Sequence, residues 1–138
     1  MKRASVLAMV CLLALSLTIS VYAIADVSDQ ISGYAMSVTP TSGSRLAIQF
    51  SVTASYQMAV IGGKTIAVYE KSGSSWTYVG GFAQSSTGMT RTNAFNYGNT
   101  IYYNGQSGKE YKVSVEVFAE DSTGASDART QVFYVTAS

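Results

Sequence analysis

Aromatic side chains near asparagines are the residues of this sequence with the clearest binding chemistry. Tyrosine and tryptophan combine a flat apolar ring with a polar edge, so they can stack on sugar rings or anchor a protein partner. They concentrate in the second half of the chain, at Trp76, Tyr78, Phe82, Phe95, Tyr97, Tyr102 and Tyr103, with asparagines at positions 96 and 104. We expect Trp76, Tyr78, Tyr97 and Tyr102 to bind an extracellular protein or a glycan.

The position of these rings in the fold distinguishes the two kinds of partner. An exposed line of Trp76, Tyr97 and Tyr102 would favour stacking on a glycan, whereas a contiguous apolar patch or an uncovered edge strand would favour a protein. The alternative is that Trp76 and one tyrosine fill the core and the other rings cover sheet surfaces, because a domain without disulfides needs their apolar area. In a strand, Tyr102 and Tyr103 would point to opposite faces, so at most one of them belongs to the core.

Catalysis by histidine or cysteine is excluded for residues 26–138. The sequence contains no histidine, and its single cysteine is Cys11. Ser-His and Cys-His nucleophilic catalysis and the usual zinc sites therefore lack their side chains. We expect no cofactor and no metal site in this part of the chain.

A pair of carboxylates is the remaining catalytic possibility, since glycoside hydrolysis needs only two acids at a suitable separation. The available acids include Glu70, Glu110, Glu116, Glu120, Asp121 and Asp127. None of them stands in the apolar surroundings that raise the pKa of a catalytic acid. We therefore predict a non-catalytic binding domain, with a carbohydrate-binding protein or a glycan-cleaving enzyme as the alternative.

The segment from Glu120 to Asp127 also carries oxygen ligands of the kind that Ca²⁺ prefers. Its spacing matches no calcium-binding loop known to us. A polar turn that uses Asp121 and Gly124 for its geometry is the favoured interpretation.

The N-terminal residues have the pattern of a signal peptide. Lys2 and Arg3 precede an uncharged apolar run at residues 6–17, and Ala23 and Ala25 are the small residues of a cleavage site. We predict cleavage after Ala25, with cleavage after Ala23 as the near alternative. The competing interpretation is a retained membrane anchor, because the apolar stretch is just long enough to cross a bilayer. Polar residues within the stretch favour cleavage and secretion.

Residues 26–138, the predicted mature chain, have the size of one domain. Without Lys2 and Arg3, seven basic side chains remain against eight acidic ones. This dilute and nearly neutral charge is not typical of proteins that bind nucleic acid or an anionic membrane. We expect neither partner, apart from the contact of the signal peptide with the membrane before cleavage.

Strands are the expected element of the mature chain, which is rich in Thr, Ser, Tyr, Val and Gly and lacks helical periodicity. Apolar and polar residues alternate most clearly over Arg45–Ala54 and Glu110–Ala119. In the second of these strands, one face should be buried. Its four residues are Tyr111, Val113, Val115 and Val117.

Five weaker patterns complete a set of about seven strands, at Tyr34–Thr39, Thr65–Glu70, Trp76–Phe82, Thr100–Tyr103 and Arg129–Thr136. Turn residues separate most of them, including those at Ile61–Lys64, and Lys71–Ser75 has the pattern of a hairpin loop. Short strands separated in this way predict an all-β protein, an antiparallel sandwich of two sheets.

The last third of the chain resembles a known family. Gly108-Lys109-Glu110-Tyr111-Lys112-Val113-Ser114-Val115 resembles the entry of a fibronectin type III module into its sixth strand, and residues 119–124 resemble that family's turn into its last strand. The resemblance implies an immunoglobulin-like β-sandwich with Tyr111 as the corner tyrosine, its ring in the core and its hydroxyl bonded to nearby backbone. The leucine usually found six residues before that tyrosine is replaced by Gly105. The chain is also similar to small secreted β-proteins of Gram-positive bacteria, and a fold so widely reused implies no particular function.

Overall fold

Alternating apolar and polar residues run through most of residues 30–138, the part of the chain that the structure, a computed structural model, describes. This part is all-β, as the alternation predicts. Its strands are β1 (Ile31–Pro40), β2 (Arg45–Ser72), β3 (Ser75–Ala83), β4 (Thr90–Asn104), β5 (Glu110–Glu120) and β6 (Ser126–Thr136), with a 3-10 turn at Ser42–Ser44. The predicted signal peptide, residues 1–25, lies outside the described residues. No helix in residues 30–138 has the length and apolar character needed to span a membrane.

Strand β2 is 28 residues long and pairs with four of the other strands, β1, β3, β4 and β5. Its first part, residues 45–54, pairs antiparallel with β1 on one side and β4 on the other. Its second part, residues 65–72, lies between β3 and β5, and β6 pairs with β5. The described residues therefore form a single curled sheet of six strands. The prediction of about seven strands is corrected to six for the described residues, because two of the predicted strands are parts of β2.

The predicted turn at Ile61–Lys64 is also wrong, because this segment remains within β2. Ile61 and Gly62 pair with β4 on one side and with β5 on the other. Gly62 has a φ of +146°, and a Cβ atom there would lie 2.3 Å from the backbone oxygen of Met89. The glycine therefore permits a close approach between β2 and the segment before β4, where the prediction assumed a chain reversal.

The inward side chains of both parts of the sheet meet in one core. They include Leu46, Ile48, Phe50, Val52, Ile66 and Val68 of β2, Ile101 of β4, and Tyr111, Val113, Val115 and Val117 of β5. The rings of Tyr103 on β4 and Tyr111 on β5 are 6.0 Å apart, although these two strands do not pair with each other. The curl thus brings β4 over β5. Each part of the sheet keeps an opposite face that points away from this core.

Candidate binding face

Cross-strand register builds a row of large side chains on the outward face of the sheet formed by β3, the second part of β2, β5 and β6. Tyr69 of β2 pairs with Tyr78 of β3 and with Lys112 of β5, and Lys112 pairs with Tyr134 of β6. Trp76 lies two residues from Tyr78, so it points to the same side of β3. We name these five residues the aromatic–lysine face.

The rings of the aromatic–lysine face contact one another, and two of them share the ammonium group of Lys112. The ammonium group of Lys71 also lies 5.9 Å from the ring centroid of Trp76. Tyr69 and Tyr78 meet edge to face with centroids 5.7 Å apart, and Trp76 lies 5.5 Å from Tyr134. The Nζ atom of Lys112 lies 4.6 Å from the ring centroid of Tyr69 and 5.6 Å from that of Trp76. Both distances suit a cation–π interaction. Tyr134 and Tyr78 remain 65% and 61% exposed, so both rings are presented to solvent.

Ion pairs join the other charged side chains at the end of the sheet that carries Lys71 and Glu110. Lys71 Nζ lies 3.3 Å from Glu110 Oε2. A second pair at the same end of the sheet joins Lys109 Nζ to Glu70 Oε1 at 4.0 Å. By contrast, Lys112 has no carboxylate partner among residues 30–138. Its ammonium group is the uncompensated charge at the centre of the aromatic–lysine face.

A shallow groove adjoins the face along β2 and β3. Tyr78 forms one wall, and the groove is also lined by residues that include Thr65, Ala67, Gly81 and Ser86. The small residues leave the groove open, and the two hydroxyl groups can donate or accept hydrogen bonds. The aromatic–lysine face and the groove form one continuous surface, because Tyr78 belongs to both.

The structure does not bring the four predicted binding residues together. Trp76 and Tyr78 lie on the aromatic–lysine face, but Tyr97 and Tyr102 lie on β4, at opposite sides of that strand. The half-buried ring of Tyr97 lies 6.1 Å from the core ring of Phe50, and its hydroxyl donates to the backbone oxygen of Gly88 at 2.8 Å. Tyr97 therefore packs against the core and does not form an exposed line with Trp76 and Tyr102.

Tyr102 lies on a different outward face of the molecule. It is 49% exposed, and the guanidinium carbon of Arg45 lies 4.7 Å from its ring centroid. Its strand neighbour Tyr103 points inward, as alternation requires. Tyr102 is thus an isolated ring stacked with an arginine, separate from the aromatic–lysine face.

Sequence reasoning missed three residues of the face, namely Tyr69, Lys112 and Tyr134. Alternation with Tyr111 and Val113 does indicate that Lys112 points outward. The missing information was the register, which places Tyr69 and Tyr134 on either side of Lys112. Register between strands that are distant in the sequence depends on tertiary packing, so local patterns did not reveal the cluster.

The carboxylate of Asp121 holds the turn between β5 and β6. Its Oδ1 atom accepts hydrogen bonds from the Thr123 hydroxyl, at 2.6 Å, and from the backbone amides of Thr123 and Ala125. Its Oδ2 atom accepts from the Tyr56 hydroxyl at 2.9 Å and from the Gln30 amide at 3.2 Å. The bonds from Thr123 and Tyr56 are the main causes that lower the pKa of Asp121 to about 2.

This arrangement gives Asp121 a structural role in the Glu120–Asp127 turn. A carboxyl group with so low a pKa stays ionised near neutral pH and cannot serve there as a general acid. Within residues 30–138, no group of three or more His, Cys, Asp or Glu side chains is placed to hold a metal ion.

Comparisons of the chain with protein-family models, with curated proteins and with solved structures found no match. The case for a function therefore rests on the aromatic–lysine face and its surroundings.

Proposed function

We propose that residues 26–138 form a secreted, non-catalytic binding domain that recognises its partner through the aromatic–lysine face. The observation that carries this proposal is the row of rings from Tyr78 to Tyr134 around Lys112, in which the two end rings are exposed and Tyr69 and Trp76 are half-buried. Large exposed aromatic groups are typical of sites that bind a partner, because they exclude water from a broad area.

The construction of the face favours binding without rearrangement. Its side chains stand on paired strands, and each ring is in contact with another ring or with the Lys112 ammonium. Side chains that are already ordered lose little conformational entropy when a partner binds. This face of the sheet therefore offers a preorganised surface, with no deep cleft required.

The residue inventory supports binding over catalysis. Residues 26–138 contain neither histidine nor cysteine. Glu110 is ion-paired with Lys71. The carboxylate of Asp121 accepts hydrogen bonds from Tyr56 and Thr123 and so stabilises its turn. A glycan-cleaving mechanism would instead need two free carboxylates facing each other across a cleft, about 5–10 Å apart.

A two-layer sandwich of fibronectin type III character is part of the same proposal. If the two parts of β2 are counted separately, β5 becomes the sixth strand and β6 the seventh, as the resemblance implies. The ring of Tyr111 is in the core, and its hydroxyl accepts a hydrogen bond from the Gln106 backbone amide at 2.8 Å. These features support a sandwich with a corner tyrosine.

A glycan array and a set of purified cell-surface polymers, probed with residues 26–138, test the binding function. We expect binding to be weakened by Trp76→Ala and by Tyr134→Ala, since each removes a ring from the aromatic–lysine face. Tyr102→Ala is the matched control, because it removes an exposed tyrosine from another face of the same fold. Thermal unfolding of each variant should show that the fold is retained.

Two results would overturn the proposed function. The first is binding that is equally strong in wild type, Trp76→Ala and Tyr134→Ala, because the aromatic–lysine face would then be irrelevant. The second is release of new reducing ends from a bound polysaccharide, which would show an enzyme where we propose a binding domain.

A further inference from the structure

On the basis of the proposed binding function, we infer that the ligand of the aromatic–lysine face is an acidic polysaccharide with one carboxylate per sugar ring. The ammonium group of Lys112 binds the carboxylate, and the rings of Trp76 and Tyr134 support the apolar face of the sugar. The adjoining groove beside Tyr78 accommodates a further part of the same chain.

The charge of Lys112 supports an anionic ligand. Its ammonium lies over Tyr69 and Trp76, and among the described residues it has no carboxylate partner. The ion pair of Glu110 with Lys71 leaves Lys112 free to bind an outside anion. A charge-assisted hydrogen bond from an ammonium to a carboxylate is about twice as strong as a neutral one.

The rings around this charge support a sugar. The C–H groups on one face of a pyranose ring pack against an aromatic ring, while its hydroxyl groups need polar partners at the edge. Tyr78 and Tyr134 offer open rings, and Ser114 lies beside Lys112 on the same side of β5, opposite Val132 of β6. A lysine flanked by aromatic rings and hydroxyl groups thus matches a sugar that bears a single carboxylate.

A protein partner fits this surface less well. The fully buried centre of a protein interface is depleted of lysine and serine and is enriched in apolar residues. Here the centre is Lys112, with Ser114 next to it, and aliphatic groups are restricted to the margins, as at Val79 and Val132. Burial of the Lys112 ammonium against a protein would require a carboxylate from that partner at the same point.

A densely sulfated polysaccharide also fits less well. Polymers with several charges per repeat are bound by clusters of Lys and Arg. On this face Lys71 is already neutralised by Glu110, and Glu116 adds a negative charge further along β5. One available ammonium matches one charge per sugar, as in a polyuronate.

Titration calorimetry with polygalacturonate and with its methyl ester tests this inference on residues 26–138. The two polymers share the same sugar backbone, but the ester lacks the charge. We expect the ester to bind about tenfold more weakly, and Lys112→Gln to weaken polygalacturonate binding by a similar factor. Lys112→Arg should retain binding, and Lys64→Gln is the control because it removes an exposed lysine outside the face.

The possible outcomes separate the inference from the proposed function. Equal binding of the ester and the acid, or of Lys112→Gln and wild type, overturns the acidic ligand, even if Tyr134→Ala shows that the face still binds. Preference for dextran sulfate over polygalacturonate, or recognition of a protein alone, also overturns it. Binding of polygalacturonate that is unchanged in both Trp76→Ala and Tyr134→Ala overturns the binding function of the face itself.

Discussion

The hydroxyl group of Tyr111 links three separate segments of the fold. It accepts from the Gln106 backbone amide at 2.8 Å, and it donates to Glu70 Oε2, 3.3 Å away on the neighbouring strand. Burial of the side chain raises the pKa of Tyr111, with the charge of Glu70 contributing in the same direction. The neutral hydroxyl is therefore a stable hydrogen-bonding group at every physiological pH, and its role is structural.

Tyr111→Phe should lower the free energy of unfolding by about 0.5–1.5 kcal/mol, since the ring still fills the core but the hydrogen bonds to Gln106 and Glu70 are lost. Urea titration of the two proteins measures the difference. Tyr134→Phe is the control, because this tyrosine is 65% exposed and its loss of a hydroxyl should change stability little. An unchanged midpoint for Tyr111→Phe would remove the support for a corner tyrosine.

Asp121 makes the stability of the fold depend on pH. Its pKa is lowered from 3.8 to about 2 in the folded chain, mainly by the hydroxyl groups of Thr123 and Tyr56. A carboxylate whose pKa is lower in the folded state stabilises that state above its unfolded pKa. This stabilisation should be complete above about pH 5 and should be lost as the pH falls towards 2.

The Asp121→Asn variant should consequently lose stability less steeply than wild type between pH 5 and pH 2. Unfolding midpoints measured across this range provide the comparison. Glu120→Gln, which removes the neighbouring carboxylate, should keep the wild-type slope. Parallel curves for wild type and Asp121→Asn would show that the turn does not hold this carboxylate in its charged form.

Strand β5 shows how far the local sequence pattern of a single strand determines its structure. Alternation from Tyr111 to Val117 predicted one buried face, and these inward residues are 0–1% exposed. Such a strand is predictable because the alternation of apolar and polar residues indicates both the strand conformation and the face that is buried. Alternation does not state which strands lie beside it, so the contacts of Lys112 with Tyr69 and Trp76 required the register.

Val115→Ala should destabilise the fold by about 1–3 kcal/mol, because it removes buried methyl groups and leaves a cavity. Val132 lies on the neighbouring strand, is 49% exposed, and provides a control with the same change in side chain. Denaturant titration should find Val132→Ala close to wild type. Equal effects of the two substitutions would contradict the inward orientation of Val115.

In strand β2, by contrast, two glycines led to the wrong prediction of a turn. Gly62 and Gly63 have the composition of a turn, yet both remain paired within the strand. The reason is the Met89 segment, which packs so closely on Gly62 that a side chain would not fit. A glycine required for close packing and a glycine required for a turn cannot be distinguished from composition alone.

Gly62→Ala should lower stability by about 1–3 kcal/mol through backbone strain and a clash with Met89. Gly80→Ala separates these two causes, because Gly80 has a similar φ, of +155°, but an added Cβ there would meet only the ring of Tyr103, at 3.4 Å. We expect the Gly62 variant to unfold at a clearly lower temperature than the Gly80 variant. Equal thermal midpoints would show that the clash with Met89 does not affect stability.

At the scale of the whole molecule, the curled sheet couples the aromatic–lysine face to the rest of the fold. The second part of β2 carries Tyr69 outward and contributes Ile66 and Val68 to the core, while the first part pairs with β1 and β4. One hydrophobic core also joins inward residues from both parts of the sheet. Neither half of the described residues can therefore separate without breaking β2 or exposing that core.

This coupling predicts that residues 26–138 unfold in one cooperative transition. Trp76 is the single tryptophan of the chain, so its fluorescence reports on the aromatic–lysine face alone, whereas circular dichroism reports on every strand. We expect the two signals to give the same midpoint and the same slope in urea, as two-state unfolding requires. If the face were a locally independent unit, the fluorescence change would come first, at lower urea concentration. Phe50→Leu, a substitution beneath the other part of the sheet, should shift both transitions together, because the disturbance reaches Trp76 through the shared core and β2.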